Sequence, residues 1–160
     1  MSILAQADAV AYVDRLRAAG KQLVFTNGVF DLLHPGHLRY LQYSRTLGDA
    51  LVVGVNSDRS VRSIKGEERP VTPEHERAEI LAALDCVDAV VVFDEDTPRA
   101  LIARLQPDVL VKGADWPAHA IPGRDTVEGR GGRVVRAPLE AGHSTTALLD
   151  RIRSRQSLRT

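Results

Sequence analysis

Five short apolar segments, separated by helix signals, constrain the fold of this chain more than any other feature. The segments are 23–25, 50–56, 89–93, 108–112 and 133–136. Nearly continuous apolar runs of this length are typical of strands that are buried on both faces of a parallel sheet. Parallel strands need long crossover connections, which are usually helical and right-handed. The sequence therefore predicts a single α/β domain with a five-stranded parallel sheet and helices on both faces.

Helix signals alternate with these segments, as a Rossmann-like, doubly wound arrangement requires. Before the first strand, apolar residues at helical spacing within 4–16 predict a helix that ends ahead of Gly20. The polar, basic segment 59–69 is predicted to be a loop. We expect residues 1–20 to form a helix packed on the domain, residues 21–153 to form the domain, and residues 154–160 to form a frayed tail. The remaining helix starts are marked by Pro35, by Thr72 with Pro73, by Thr97 with Pro98, and by Ser144.

The charge balance excludes several classes of partner. The 160 residues include 21 Lys and Arg against 21 Asp and Glu, so there is no basic excess of the kind that attracts nucleic acid or anionic membranes. Charges interrupt the first nineteen residues, and no apolar run approaches membrane-spanning length. We therefore expect a cytoplasmic protein that binds small molecules and neither nucleic acid nor membranes.

The polar and glycine-containing segments cluster at one predicted edge of the sheet. In doubly wound sheets, ligands bind outside the carboxyl ends of the strands. The segments that follow strands on that side are 26–37, 56–69, 112–116 and 138–146. The fold and the distribution of polar residues thus predict the same loops as the binding site.

His34 and His37 open the helix that follows the first of these strands. Three residues apart, they share one helix face, so both rings can reach the same anion. The free backbone N–H groups of a helix start, marked by Pro35, favour such an anion. A histidine at this position is often only a cap, but the order strand, loop and helix favours a phosphate site.

A second group of polar residues precedes the last predicted helix. Ser144, Thr145 and Thr146 follow Gly142, and their hydroxyl and N–H groups suit a polyphosphate. The alternative is that Ser144 is a simple helix cap and the two threonines fill the first turn.

Basic residues between these two groups offer further phosphate ligands. Lys65 stands beside Gly66, and Arg69 or Arg77 could hold a phosphate through two hydrogen bonds, although surface charge is the usual role of such residues. The chain lacks the Walker A, G-x-G-x-x-G and G-x-S-x-G patterns, which disfavours P-loop NTPases, common dinucleotide dehydrogenases and α/β-hydrolases. His75 and His119 have no neighbours at metal-ligand spacing, so no permanent metal site in the protein is predicted.

Two motifs carry a resemblance to a known family. Residues 28–37, Gly-Val-Phe-Asp-Leu-Leu-His-Pro-Gly-His, resemble the G-x-F-D-x-x-H-x-G-H signature of the cytidylyltransferase-like nucleotidyltransferases, and residues 144–146 resemble their S-T-T signature. Within that family, segments 26–31, 55–58, 65–70 and 110–116 are similar to the adenylyltransferase domain of bacterial heptose-phosphate enzymes. The similarity spans about 21–152. Residues 139–142, Leu-Glu-Ala-Gly, replace the Arg-Thr-Glu-Gly of some cytidylyltransferases, and Trp116 replaces the tyrosine usual in heptose enzymes.

The resemblance implies transfer of AMP from ATP to D-glycero-D-manno-heptose 1-phosphate, which yields ADP-heptose and pyrophosphate. It also implies Mg²⁺ held by the ATP phosphates, and a homodimer. Two alternatives stay open: a CTP-dependent enzyme that makes a CDP-alcohol such as CDP-glycerol, and a non-catalytic nucleotide-binding module. By resemblance, the catalytic residues are His34, His37 and Lys65; the nucleotide-binding residues are Thr26, Asn27, Gly28, Val29, Phe30, Lys112, Gly113, Asp115, Ser144, Thr145 and Thr146; and the weaker substrate candidates are Asp31, Arg69 and Arg77.

Overall fold

The computed structural model describes residues 2–138, 142 and 144–157. In this part of the chain, a single six-stranded sheet has the order β1-β4-β3-β2-β5-β6, and every adjacent pair of strands is parallel. The predicted parallel α/β architecture is confirmed, and β1 is an additional edge strand. Its two residues are too few to show a strand pattern in the sequence. The strands are β1 (Ser2–Ile3), β2 (Leu23–Gly28), β3 (Ala50–Asn56), β4 (Ala89–Phe93), β5 (Val109–Gly113) and β6 (Arg133–Ala137).

Helices connect the strands and cover both sides of the sheet. A short 3₁₀ turn at Ala118–Ala120 precedes α6. The turn and α6 lie in a stretch for which the sequence predicted no element. The α-helices of the described residues are α1 (Gln6–Ala18), α2 (Pro35–Arg45), α3 (Asp58–Lys65), α4 (Glu74–Ala82), α5 (Arg99–Leu105), α6 (Arg124–Glu128) and α7 (Thr145–Ser157).

The prediction of a loop over 59–69 is wrong for its first part, which forms α3. Ser57 caps this helix, and its Oγ accepts a hydrogen bond from the Ser60 amide nitrogen at 3.1 Å. Val61 is fully buried, so one side of this mostly polar helix packs on the domain. At the next helix, Pro73 rather than Thr72 occupies the position before the first helical residue. The Thr72 amide instead donates to the Asp31 carboxylate.

Two hydrophobic cores lie on opposite faces of the sheet. Side chains alternate along a strand, so Phe25 and Leu110 point to one side, which we call the first face, and Val24 and Val111 point to the second face. Residues of α1 and α5 pack in the first core, and residues of α2 and α4 pack in the second. Ala9 and Val13 of the N-terminal helix α1 lie in the first core.

The last helix continues beyond the residue where the sequence predicted a tail. Residues 154–157 belong to α7, and residues 158–160 lie outside the described residues. In the described ranges, no helix has the length and apolar character needed to cross a bilayer.

Candidate active site

The sheet has its switch point at β2. The chain passes from β2 to β3 on one side of the sheet, and β5 later pairs with β2 on the other side. Crevices outside the carboxyl ends of strands at such a point are the usual ligand sites of doubly wound folds. The loop between β2 and α2, which carries the predicted histidines, lies there.

The two histidines form a stacked pair at the start of α2. His34 is the N-cap residue, and Pro35 occupies the first helical position. The rings of His34 and His37 are 3.8 Å apart between centroids with an interplanar angle of 21°. The edge of the Phe30 ring also contacts His37, at 5.5 Å between centroids. The helical spacing predicted a shared face, and the structure adds direct ring stacking.

Burial makes His37 difficult to protonate. Desolvation lowers its pKa to about 4, and the nearby His34 contributes in the same direction, while Asp31 opposes the shift. The Nδ1 atom of His37 is buried and has no hydrogen-bond partner in the part of the chain that the structure describes. His37 is therefore neutral at pH 7 in the free protein, with one ring nitrogen unsatisfied.

This depressed pKa predicts a loss of stability in mild acid. As the pH falls from about 6.5 to about 4, His37 binds a proton in the unfolded chain but not in the folded protein, so the free energy of unfolding should decrease. Urea unfolding of the wild type and of His37→Gln across this range would isolate the contribution of His37. The free energy of unfolding of the wild type minus that of the variant should decrease as the pH is lowered. A difference that stays constant across this range would contradict the shifted pKa.

The loop between the strand and the histidines is held from inside by Asp31. Its buried carboxylate accepts hydrogen bonds from Arg69 Nε at 2.7 Å and from the Val71 and Thr72 amides at 2.9 Å each. Burial disfavours the charged form, but these hydrogen bonds outweigh it and hold the pKa of Asp31 below its usual range. The neighbours Phe30 and Leu32 both adopt a φ of 50°, the left-handed region that side chains rarely occupy. The predicted substrate residue Asp31 thus directs its carboxylate into the protein.

Arg69 and Arg77, the two arginines predicted as phosphate ligands, differ in how many guanidinium nitrogens already donate hydrogen bonds within the described residues. Arg77 is 1% exposed, and its three guanidinium nitrogens donate to the carbonyls of Thr72 and Val29 and to the Asp58 carboxylate. Arg69 uses only Nε, toward Asp31, and its terminal nitrogens contact no acceptor among the described residues. Arg77 therefore holds the Val29 backbone in the loop between β2 and α2, while the two terminal nitrogens of Arg69 are not used by the described residues.

The start of α7 meets the histidine helix around one open cavity of about 190 Å³. Ser144 caps α7, since its Oγ accepts from the Ala147 amide, and Thr145 Oγ1 donates to the Asp31 carbonyl at 2.8 Å. Thr146 is exposed. His34 and Ser144, from the two predicted anion sites, thus line the same space. The lining residues are His34, Pro35, Gly142, Ser144, Leu148 and Arg151.

Arg151 was missing from the sequence-based site. It lies seven residues after Ser144, two turns along α7, so helical spacing places it on the same face as Ser144. Its guanidinium has no acceptor in the described part of the chain, and it adds a positive charge beside His34. His143 and residues 139–141, which the sequence placed at this helix start, lie outside the described residues.

Several other predicted residues serve the fold or stand apart from the cavity. Thr26 is fully buried, and its hydroxyl bonds to Tyr40 Oη at 2.7 Å and to the Val111 carbonyl at 3.1 Å. A Cβ atom on Gly28 would lie 3.1 Å from the Phe30 ring, which explains the glycine. Lys65, the last residue of α3, is exposed and makes no hydrogen bond or ion pair with the described residues.

The carboxyl end of β5 carries a buried lysine. Lys112 is 5% exposed; its Nζ donates to the Asn27 carbonyl at 3.3 Å and lies 5.4 Å from the centroid of the Trp116 ring. Desolvation lowers its pKa to about 8, while the negative charge of Asp115 opposes this shift. Gly113 and Asp115 follow at the exposed rim of the same edge.

Comparison with known proteins decides the family. The model of the cytidylyltransferase-like family matches residues 25–147, from β2 to the first turns of α7. The chain belongs to this family. The protein is accordingly a nucleotidyltransferase, as the resemblance of the two motifs predicted.

The relatives of this nucleotidyltransferase include longer bacterial proteins. The bifunctional protein HldE of Pelobacter propionicus is 55% identical over 91% of the chain, and that of Geotalea uraniireducens is 58% identical over 90%. The chain spans about 30% of the length of these proteins.

Solved structures show the same fold. The lipopolysaccharide core biosynthesis protein of Thermoplasma volcanium is 30% identical with a TM-score of 0.62, and the similarity covers 76% of this chain and 98% of the other. The pantoate-β-alanine ligase of Francisella tularensis also has a TM-score of 0.62, over 88% of this chain and 67% of the other. At 15% identity, this second similarity concerns the fold alone.

Proposed function

We propose that this nucleotidyltransferase transfers AMP from ATP to D-glycero-D-manno-heptose 1-phosphate and releases pyrophosphate. The observation that carries the proposal is the single cavity formed by the starts of α2 and α7, because a nucleotidyltransferase must hold a polyphosphate against one reactive phosphorus atom. The sugar and the nucleotide come from the resemblance of segments 26–31, 55–58, 65–70 and 110–116 to heptose-phosphate adenylyltransferases, supported by the HldE relatives.

The chemistry requires positioning and charge stabilisation. An oxygen of the sugar phosphate, already ionised at neutral pH, attacks the α-phosphorus of ATP, and the bond from this phosphorus to the departing pyrophosphate breaks. No proton needs to be removed from the nucleophile. In this mechanism His34 and His37 donate N–H groups to the phosphate oxygens that gain charge, and Ser144, Thr145 and Arg151 hold the outer phosphates.

Magnesium fits this site as a companion of ATP. Among the described residues, no group of three or more metal-ligating side chains is present. Mg²⁺ usually keeps several waters and binds one or two carboxylates together with substrate phosphates, so MgATP needs no preformed protein cage. When bound, the ion neutralises phosphate charge, and the protein's own donors orient the chain of phosphates.

The test is a matrix of ATP and CTP against phosphorylated acceptors, read by pyrophosphate release. Acceptors are the two anomers of D-glycero-D-manno-heptose 1-phosphate, glucose 1-phosphate and glycerol 3-phosphate. We expect turnover with ATP and one heptose 1-phosphate anomer, with kcat/KM at least about tenfold above every other pair, a difference of roughly 1.4 kcal/mol.

Other outcomes separate the alternatives. Turnover with CTP and glycerol 3-phosphate would favour a cytidylyltransferase that makes a CDP-alcohol. Nucleotide binding without turnover of any pair would favour a non-catalytic module. Either result would contradict the proposed reaction.

A further inference from the structure

Two polar groups at the end of the central strands lack suitable partners. Lys112 is nearly fully buried, and its ammonium has one long hydrogen bond, to a backbone carbonyl, with no carboxylate of the described residues within ion-pairing distance. Buried charges in proteins are normally paired, because an isolated charge loses its hydration. The Oδ1 atom of Asn27 is also buried and accepts no hydrogen bond from the described residues. The Lys112 ammonium therefore has N–H donors to spare, and the nearby Asn27 Oδ1 is an acceptor without a donor among the described residues.

These two residues share one position on the sheet. Thr26 pairs with Val111 in the parallel register of β2 and β5, so Asn27 and Lys112 are the next neighbours across the strands. Because side chains alternate, Asn27 follows Phe25 and Lys112 follows Leu110 onto the first face. The helix that carries His34 and His37 packs on the second face, through Leu41.

From this geometry we propose that Lys112 and Asn27 form the binding site of the acceptor, in which Lys112 holds the phosphate of the sugar phosphate and Asn27 Oδ1 accepts a neighbouring sugar hydroxyl. The assignment rests on the proposed function. A bound phosphate would give the buried Lys112 ammonium an anionic partner. A nucleobase is uncharged and would not supply one. A phosphate ester of a polyol carries both required groups, an anion and a hydroxyl donor, a few bonds apart.

The arrangement also suits the direction of the reaction. In an in-line displacement, the attacking oxygen and the departing pyrophosphate lie on opposite sides of the phosphorus. The cavity of His34, Ser144 and Arg151 is formed by α2 and α7, on the side where the ATP phosphates are proposed to bind. An acceptor held by Lys112 would approach the end of β2 from the other face of the sheet.

Kinetics of Lys112→Met test the assignment, with Lys21→Met as the matched control. Lys21 is exposed and precedes β2, at the opposite end of the strand. We expect Lys112→Met to raise the KM of the sugar phosphate by roughly ten- to a hundredfold, the effect of losing a hydrogen bond to a charged group, with the KM of ATP changed less than about twofold. Asn27→Leu should raise the acceptor KM in the same selective way. An increase confined to the KM of ATP would overturn the proposal.

Labelling of lysine side chains provides a second measurement, which needs neither turnover nor a folded variant of Lys112. The chain contains three lysines, Lys21, Lys65 and Lys112. Replacing the exposed Lys21 and Lys65 in turn assigns their ¹³Cε signals, and the remaining signal belongs to Lys112. With α,β-methylene-ATP bound, inorganic phosphate and then heptose 1-phosphate should shift the Lys112 signal and move its titration to higher pH, while Lys21 stays unchanged. A Lys112 signal that responds to the nucleotide alone and not to these anions would contradict the assignment.

The two proposals fail in distinguishable ways. If the wild type turns over no sugar 1-phosphate, the proposed function is wrong, and the response of Lys112 to inorganic phosphate still decides whether it binds an acceptor anion. If the wild type turns over heptose 1-phosphate but the Lys112 and Asn27 variants keep the normal acceptor KM, only the acceptor site is wrong.

Discussion

Replacing His37 with alanine should lower kcat by at least about a hundredfold, the usual cost of losing one preoriented donor to a charged transition state. His37 stacks on His34 at 3.8 Å and lies against Phe30, so its ring has a fixed orientation at the start of α2. The ring is neutral in the free protein and partly buried, and phosphate groups bound beside it would favour its charged, donating form. We expect the loss mainly in kcat, because the interaction strengthens as charge develops on the phosphate oxygens.

The measurement is steady-state pyrophosphate release with saturating ATP and the acceptor identified by the substrate matrix. His75→Ala is the matched control, since His75 is an exposed histidine on α4. Thermal unfolding of both variants would establish that they remain folded. A His37→Ala enzyme with near-normal kcat would remove His37 from the catalytic residues.

Replacing Arg77 with methionine should reduce the free energy of unfolding by roughly 3 kcal/mol, the lower end of the range for breaking a buried ion pair from one side, because the partner Asp58 is 26% exposed. The side chain is 1% exposed, and its loss would leave the Asp58 carboxylate and the carbonyls of Val29 and Thr72 without their donor. A loss of this size is a large part of the roughly 5–15 kcal/mol that stabilises a typical domain. Because Arg77 holds the Val29 carbonyl, we expect the loop between β2 and α2 to lose its order first.

Urea unfolding checks this expectation, with Arg62→Met as the control. Arg62 is an exposed arginine of α3 that makes no side-chain hydrogen bond or ion pair with the described residues, so its replacement should change stability by less than about 0.5 kcal/mol. Equal stability of the two variants would mean that the three hydrogen bonds of Arg77 contribute nothing net. In the Arg77 variant, an increased KM for ATP would accompany partial loss of the loop.

The sequence predicted the strands well where they were long and apolar, and poorly where tertiary contacts decided the structure. Val52 and Val91 lie in runs that only a sheet covered on both faces can bury, so β3 and β4 were evident. The helix α3 was read as a loop because its residues are mostly polar, and its inward side rests on Val61. The edge strand β1 exists only through its pairing with β4.

The site shows the same division. Pro35 between two histidines, and three hydroxyl residues after Gly142, were sufficient to predict two helix starts suited to anions. Asp31 and Arg77 were both charged residues near the site, and nothing in their sequence positions distinguished a ligand contact from an internal support. The structure separates them by their partners: each is saturated by the protein's own backbone and side chains.

By itself, the sequence determined the α/β architecture and the family, and it predicted the edge of the sheet at which ligands should bind, because apolar periodicity and short motifs are local properties of the chain. Only the tertiary structure decided that His34 and Ser144, 110 positions apart, line one cavity and that Arg151 joins them. It also decided that Lys112 is a buried cation that forms no ion pair with the part of the chain that the structure describes. The physical reason is that burial and the pairing of charges depend on which segments pack together, and residues distant in sequence set both.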